Sequence, residues 1–158
     1  MAERYQIAQA AEMSATTAFR NLIDTVCREQ PSVDPDTCYD LKLAVEEACT
    51  NVVVHGYSGM NPGSIVLSLD VHPGQVQVRL TDFGHPFEPY DPGAPDLDAS
   101  LDEDLSHGFG LHLIYQLMDE IRYESGEDGN HLTFVKRLPP ARSNDSGGGA
   151  GGHLYRAE

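Results

Sequence analysis

Basic residues are scarce in this 158-residue chain: ten Lys+Arg stand against 25 Asp+Glu, a formal net charge of −15. Contacts to phosphate depend on Lys and Arg, so a general nucleic-acid binder is excluded, and an anionic membrane surface is a poor partner for the same reason. No apolar run approaches the ~20 residues needed to span a bilayer, and the opening stretch MAERYQIAQA has no apolar signal core. Neither a membrane nor a secretory role is expected. Cysteines number three (Cys27, Cys38 and Cys49), with no CxxC, which predicts packed, reduced thiols in a cytoplasmic protein. The seven histidines form no HxxxH or HExxH pair, so no zinc site is expected. There is no GxxxxGK[ST] phosphate loop either. The acidity suits a basic protein partner, and it suits solubility alone equally well.

What is present reads as one domain over residues 1–138 and a flexible, glycine-rich tail over 139–158, with five glycines within Gly147–Gly152. The tail's charges cancel, so the whole −15 lies on the domain. A short strand is expected over Arg4–Gln9. The spacing of Phe19, Leu22, Ile23 and Val26 predicts a helix over Ala11–Gln30, ended by Pro31 and Pro35. A second helix, capped by Asp36 or Thr37, should run to about His55 with its apolar stripe on Leu41, Val45, Ala48 and Val52. Two alternating runs, Ser64–Asp70 and Gln75–Asp82, predict a hairpin. Gly110–Glu120 reads as a third helix, and Ile121–Glu124 with His131–Leu138 as a closing hairpin. The sum is an α+β fold: a two-layer sandwich in which a mixed, mostly antiparallel sheet carries its helices on one face. Glu88–His107 holds seven acids and no Lys or Arg; its length suits a lid or a solvated loop.

Three constellations could carry chemistry. Glu47, Asn51 and His55 follow at i, i+4 and i+8 on one helical stripe. A carboxylate one turn from a carboxamide suits Mg²⁺, which keeps oxygen ligands and waters, with Glu47 free to accept a proton; a solvated helix face would show the same row. Asp82 ends a strand and is followed by Phe83-Gly84-His85-Pro86. Its carboxylate could accept from an exocyclic amine such as adenine's, although Asp and Gly are also ordinary turn residues. Ser106-His107-Gly108-Phe109-Gly110-Leu111 precedes a helix, where free N–H groups and the helix dipole attract phosphate.

In this order the three stretches resemble a known superfamily. LAVEEACTNVVVHGY (Leu43–Tyr57) is similar to the N box of the GHKL superfamily, the ATP-binding fold of gyrase, MutL and histidine kinases. LTDFGHPFEP (Leu80–Pro89) is similar to its DxG box, SHGFGLHLIYQLMDEIRY (Ser106–Tyr123) to its GxG box, and NHLTFVKRL (Asn130–Leu138) to its closing strand. Within it, ExxxN-xxxHxY together with GLHLI-xxLMDE resembles the RsbW/SpoIIAB-type anti-sigma factor serine kinases over roughly residues 5–138. The resemblance implies ATP and Mg²⁺ as cofactors. It implies Asn51 as the Mg²⁺ ligand and Glu47, preferred to Glu46 because it shares Asn51's face, as the general base. It implies Asp82 on the adenine amine, Gly84 admitting the ring, and Thr133 hydrogen-bonding nearby. Gly108 and Gly110 would lie at the phosphates, with His55, Pro86, His107, Phe109 and Leu111 around the nucleotide.

The resemblance further implies an ATP-dependent serine-protein kinase acting in partner switching. Such a protein phosphorylates a STAS-type anti-anti-sigma protein and holds a sigma factor or comparable client. Tyr115, Leu117 and Met118 read as core or dimer contacts, so a homodimer is an expectation as well. Two departures stand out. The first box lacks the second glycine of DxGxG, and the lid has no Lys or Arg to meet transition-state charge. The basic-free lid keeps open a rival, a non-catalytic ATP-binding module that sequesters its client. No histidine-bearing phosphoacceptor segment precedes the boxes, which argues against a sensor histidine kinase.

Overall fold

The computed structural model describes residues 2–86 and 113–140. Five strands, β1 (Glu3–Ala10), β2 (Ser64–His72), β3 (Gln75–Asp82), β4 (Glu120–Gly126) and β5 (Gly129–Arg137), form one sheet in the order β1-β2-β3-β5-β4. All four neighbouring pairs are antiparallel. Two long helices, α1 (Ser14–Glu29) and α2 (Pro35–Asn51), cover one face; α2 continues into a π-helical turn over Val52–Gly56. Residues 113–117 are helical (α3). The α+β sandwich expected from the sequence is therefore the fold observed. No helix among the described residues is long and apolar enough to cross a membrane.

The layers follow from side-chain period. Alternate residues of β2 (Ile65, Leu67, Leu69) and β3 (Val76, Val78, Leu80), with Leu132 and Phe134 of β5, are buried against Phe19, Ile23 and Val26 of α1 and Leu41, Val45 and Ala48 of α2. Burial of side chains of this size contributes about 1.5–3 kcal/mol each. The residues between them point to the opposite face, where Arg4 meets Asp70 through Nε–Oδ1 at 2.7 Å and Arg79 and Thr81 stand beside Gln77 and Ser68.

Boundaries differ from expectation for identifiable reasons. Helix α2 is capped by Asp34, whose side chain accepts from the Thr37 amide and the Thr37 hydroxyl, rather than by Asp36 or Thr37. Pro35 stands at its first turn and starts this helix instead of only ending the previous one, because its fixed φ suits that position. Helix α1 begins at Ser14, since Ala11 is held by the Gly63 carbonyl instead. Helix α3 stops at residue 117: the Asp119 amide already bonds the Val135 carbonyl, and Glu120 belongs to β4.

The cysteines also depart from expectation. Cys27, near the end of α1, and Cys38, in the first turns of α2, form a disulfide with Cα atoms 6.3 Å apart. The α1–α2 connection folds back on itself and brings those two helix ends together, so two of the three thiols are paired. Cys49 remains free and buried, and burial pushes its thiol up to about 12.

Candidate nucleotide site

Helix α2 places Glu47 and Asn51 one turn apart, both within regular α-helix. Asn51 is its last residue and is buried, 8% exposed. Among the described residues its carboxamide makes no hydrogen bond. A buried amide without a partner is costly unless something outside the chain satisfies it. Glu47 is half-buried, and its carboxyl is raised above the usual range, first by burial and then by the neighbouring Glu46 charge. A carboxylate of raised pKa is a stronger proton acceptor.

His55 follows Asn51 by four positions. It lies in the π turn, where the Tyr57 amide reaches back five residues to the Val52 carbonyl. The turn delivers Gly56 to the end of β3. The His85 amide donates to the Gly56 carbonyl at 2.6 Å. A Cβ on Gly84 would collide with that same carbonyl. Gly84 is thus required by chain-to-chain contact between β3's end and the π turn. Tyr57 completes the junction: its hydroxyl donates to the Ser64 carbonyl and accepts from the Phe83 amide, both at 2.9 Å.

Asp82 closes β3 on the helix-bearing face, 4% exposed. Its Oδ1 accepts from the Gly84 amide and from Asn130 Nδ2, each at 2.9 Å. Among the described residues its Oδ2 has no hydrogen-bond donor. A buried carboxylate with one satisfied and one open oxygen is a directional acceptor for a ligand N–H. Asn130 had no place among the expected site residues, yet it is the described side chain that contacts Asp82.

Thr133 is the converse. In the β3–β5 register Asp82 faces Asn130 and Arg79 faces Thr133. Three residues along a strand reverse the face, so Thr133 lies on the sheet's far side, where its hydroxyl accepts from Arg79 Nε at 3.3 Å. The Thr133 and Asp82 side chains therefore stand on opposite faces of the sheet. Pro86 is exposed at the end of the described segment, and Phe83 is exposed as well. His107, Gly108, Phe109, Gly110, Leu111 and the lid Glu88–His107 lie outside the described residues.

Among the described residues no three His, Cys, Asp or Glu side chains gather as a metal cluster. Mg²⁺ with phosphate oxygens and waters needs only one or two protein oxygens, and the unpartnered Asn51 carboxamide fits that demand.

Comparison with known proteins agrees with this geometry. Residues 9–136 match the model of the histidine kinase-like ATPase domain. The chain is 36% identical over 108 residues to the serine-protein kinase RsbW of Bacillus velezensis, covering 65% of this chain and 66% of that one, just under two thirds of its length. It is 30% identical over 102 residues to the serine/threonine-protein kinase BtrW of Bordetella bronchiseptica, covering 65% of this chain and 72% of the relative. It is 29% identical over 139 residues to an anti-sigma F factor of Priestia megaterium, covering 85% and 93%. Among solved structures, the RsbU and RsbW domains of a Mycobacterium tuberculosis protein align with a TM-score of 0.61 at 23% identity, over 89% of this chain and 34% of that one. That last likeness establishes the shared fold.

Proposed function

The chain belongs to the histidine kinase-like ATPase domain family, and from that membership we propose that it is an ATP-dependent serine-protein kinase that doubles as an anti-sigma factor in a partner-switching system. Its protein substrate would be a small STAS-type anti-anti-sigma protein and its client a sigma factor. It would work in the cytoplasm, and a homodimer is the proposed assembly. Relatives named as serine-protein kinases and anti-sigma factors support this reading.

The observation that carries it is Asn51: a buried carboxamide with no partner among the described residues, one turn from a carboxylate of raised pKa. Asn51 would hold Mg²⁺, which when bound neutralises charge on the β- and γ-phosphates. Asp82 Oδ2 would accept the adenine amine. Glu47 would take the proton from the acceptor serine as its Oγ forms a bond to the γ-phosphorus and the bond to the β–γ bridging oxygen breaks, releasing ADP. His55, Pro86, His107, Gly108, Phe109, Gly110 and Leu111 are proposed to line the phosphates and ribose.

The rival, a binding module that holds ATP without transfer, draws on the lid sequence, which supplies no Lys or Arg. Incubation with Mg·ATP and the co-purifying small partner, followed by mass spectrometry of both, separates the two. One added phosphoryl group on a partner serine, abolished by Asn51→Ala, is the expected result. Nucleotide binding with no transfer to any partner leaves the module.

A further inference from the structure

We propose that Asn130, backed by Ser125, is the positioning residue that makes this site selective for adenine, by locking Asp82 so that one particular oxygen meets the base. The proposal rests on the reading of Asp82 as the group facing the nucleotide base, and adds how the selectivity is set. Asn130 is 3% exposed and sits directly across the β3–β5 ladder from Asp82. Its side-chain nitrogen donates twice, to Asp82 Oδ1 and to the Gly84 carbonyl, both at 2.9 Å. Its side-chain oxygen accepts from the Ser125 hydroxyl at 2.7 Å. The reversed amide would set its oxygen against two acceptors, so the network admits one orientation. Ser125 and Asn130 are paired residues of the β4–β5 hairpin, one step before its Gly126–Gly129 end. The hairpin therefore holds the amide rigidly.

The consequence falls on Asp82. With the Gly84 amide also on Oδ1, that oxygen is occupied by two donors and the carboxylate cannot rotate without breaking both bonds. Oδ2 is left as the acceptor. Asn130 achieves this as a neutral donor, so Asp82 is oriented without an ion-pair partner among the described residues. A fixed buried acceptor rejects a ligand that brings no donor, because the oxygen then stays unpaired. Guanine presents a carbonyl where adenine presents its amine, and purine without that substituent presents nothing.

Dissociation constants of ATP, GTP and purine riboside triphosphate, an ATP lacking only the exocyclic amine, test this on the full chain. The wild type should prefer ATP over purine riboside triphosphate by about tenfold or more, the worth of one charged hydrogen bond. Asn130→Ala should bring that ratio to near one, and Ser125→Ala, a change at the exposed hairpin, should reduce it partway. Unliganded melting temperatures are measured alongside. A merely structural Asn130 would lower them and weaken both triphosphates by one common factor, leaving the ratio intact, which overturns the proposal; Ser125→Ala with an unchanged ratio does the same if Asn130→Ala does not fold. A wild type that binds both triphosphates equally overturns it too while leaving nucleotide binding in place, and a wild type that binds neither brings down the nucleotide reading itself.

Discussion

At the scale of single residues, Glu47 is the most informative side chain. Burial and Glu46 both raise its pKa, and the sign of that shift has two consequences. A carboxyl whose folded pKa is raised binds its proton more tightly in the folded state. The fold therefore gains stability as pH falls through that pKa, and above it the charged form opposes folding. Glu47→Gln should raise the unliganded melting temperature at neutral pH while cutting phosphotransfer by at least about a hundredfold, the usual worth of a general base. Differential scanning calorimetry and a single-turnover transfer assay read the two effects; wild-type transfer in the variant would remove Glu47 from the base role. Glu46→Gln should spare transfer at neutral pH and move the acid limb of the rate profile to lower pH, because one of the two causes of the shift is gone. The shared face of Glu47 and Asn51 was legible because four positions along an α-helix make one face whatever else the chain does. The face was not legible at Thr133 and Asn130. Both lie in the same strand, and only the β3–β5 pairing register decides which faces Asp82. An Asn immediately after the Gly126–Gly129 turn, opposite a strand-ending Asp, was the available signal.

At the scale of elements, the junction between α2, the π turn and the end of β3 sets the site. Val52-Val53-Val54 reads as plain helix, and nothing local announces the π turn. It is stabilised from outside, by the His85 amide on the Gly56 carbonyl and by Tyr57 bridging Ser64 and Phe83. Gly84→Ala would drive a methyl group into the Gly56 carbonyl. The expected cost is about 1–3 kcal/mol, as for other overpacked sites, read as a lower melting temperature together with weaker ATP binding, since Asp82 and Gly56 shift together. A variant as stable as the wild type would mean that the two segments are not in contact. The other junction is the Cys27–Cys38 tie between α1 and α2. Odd cysteine count and absent CxxC argued for free thiols, but the tie was foreshadowed by position: both residues flank the proline-marked turn of an antiparallel helix pair. With its ends 11 positions apart in the sequence, the bond should add about 2–3 kcal/mol by restricting the unfolded chain. Melting with and without a reductant checks this, with Cys27→Ser as the control insensitive to reductant.

At the scale of the whole molecule, the fold is a sandwich whose core owes nothing to the site. The buried apolar face of β2, β3 and β5 against α1 and α2 is complete without Asn51, Asp82 or Glu47, which is why alternating strands and amphipathic helices were readable from sequence long before any site residue was. The site is instead a place where polar groups are buried without hydrogen-bond partners among the described residues, Asn51 and one oxygen of Asp82. That arrangement costs stability in the empty protein and is offset when a ligand supplies the partners. Binding only to the folded state stabilises by about 2.7 kcal/mol at one hundred times the dissociation constant. For a chain near 150 residues each kcal/mol moves the melting temperature by roughly 2–4 °C, so saturating ATP should raise it by about 5–10 °C. Mg²⁺ should enlarge the shift for ATP in the wild type and leave it unchanged in Asn51→Ala, because the carboxamide that would share the ion is gone. The chain's −15 charge opposes a triphosphate at long range, so added monovalent salt should, up to moderate ionic strength, tighten ATP binding in the absence of Mg²⁺ and matter less in its presence. Melting curves recorded across ATP, Mg²⁺ and salt concentrations decide the matter, and curves indifferent to adenine nucleotide at millimolar concentration would leave the two buried groups without their ligand and the kinase reading without its site.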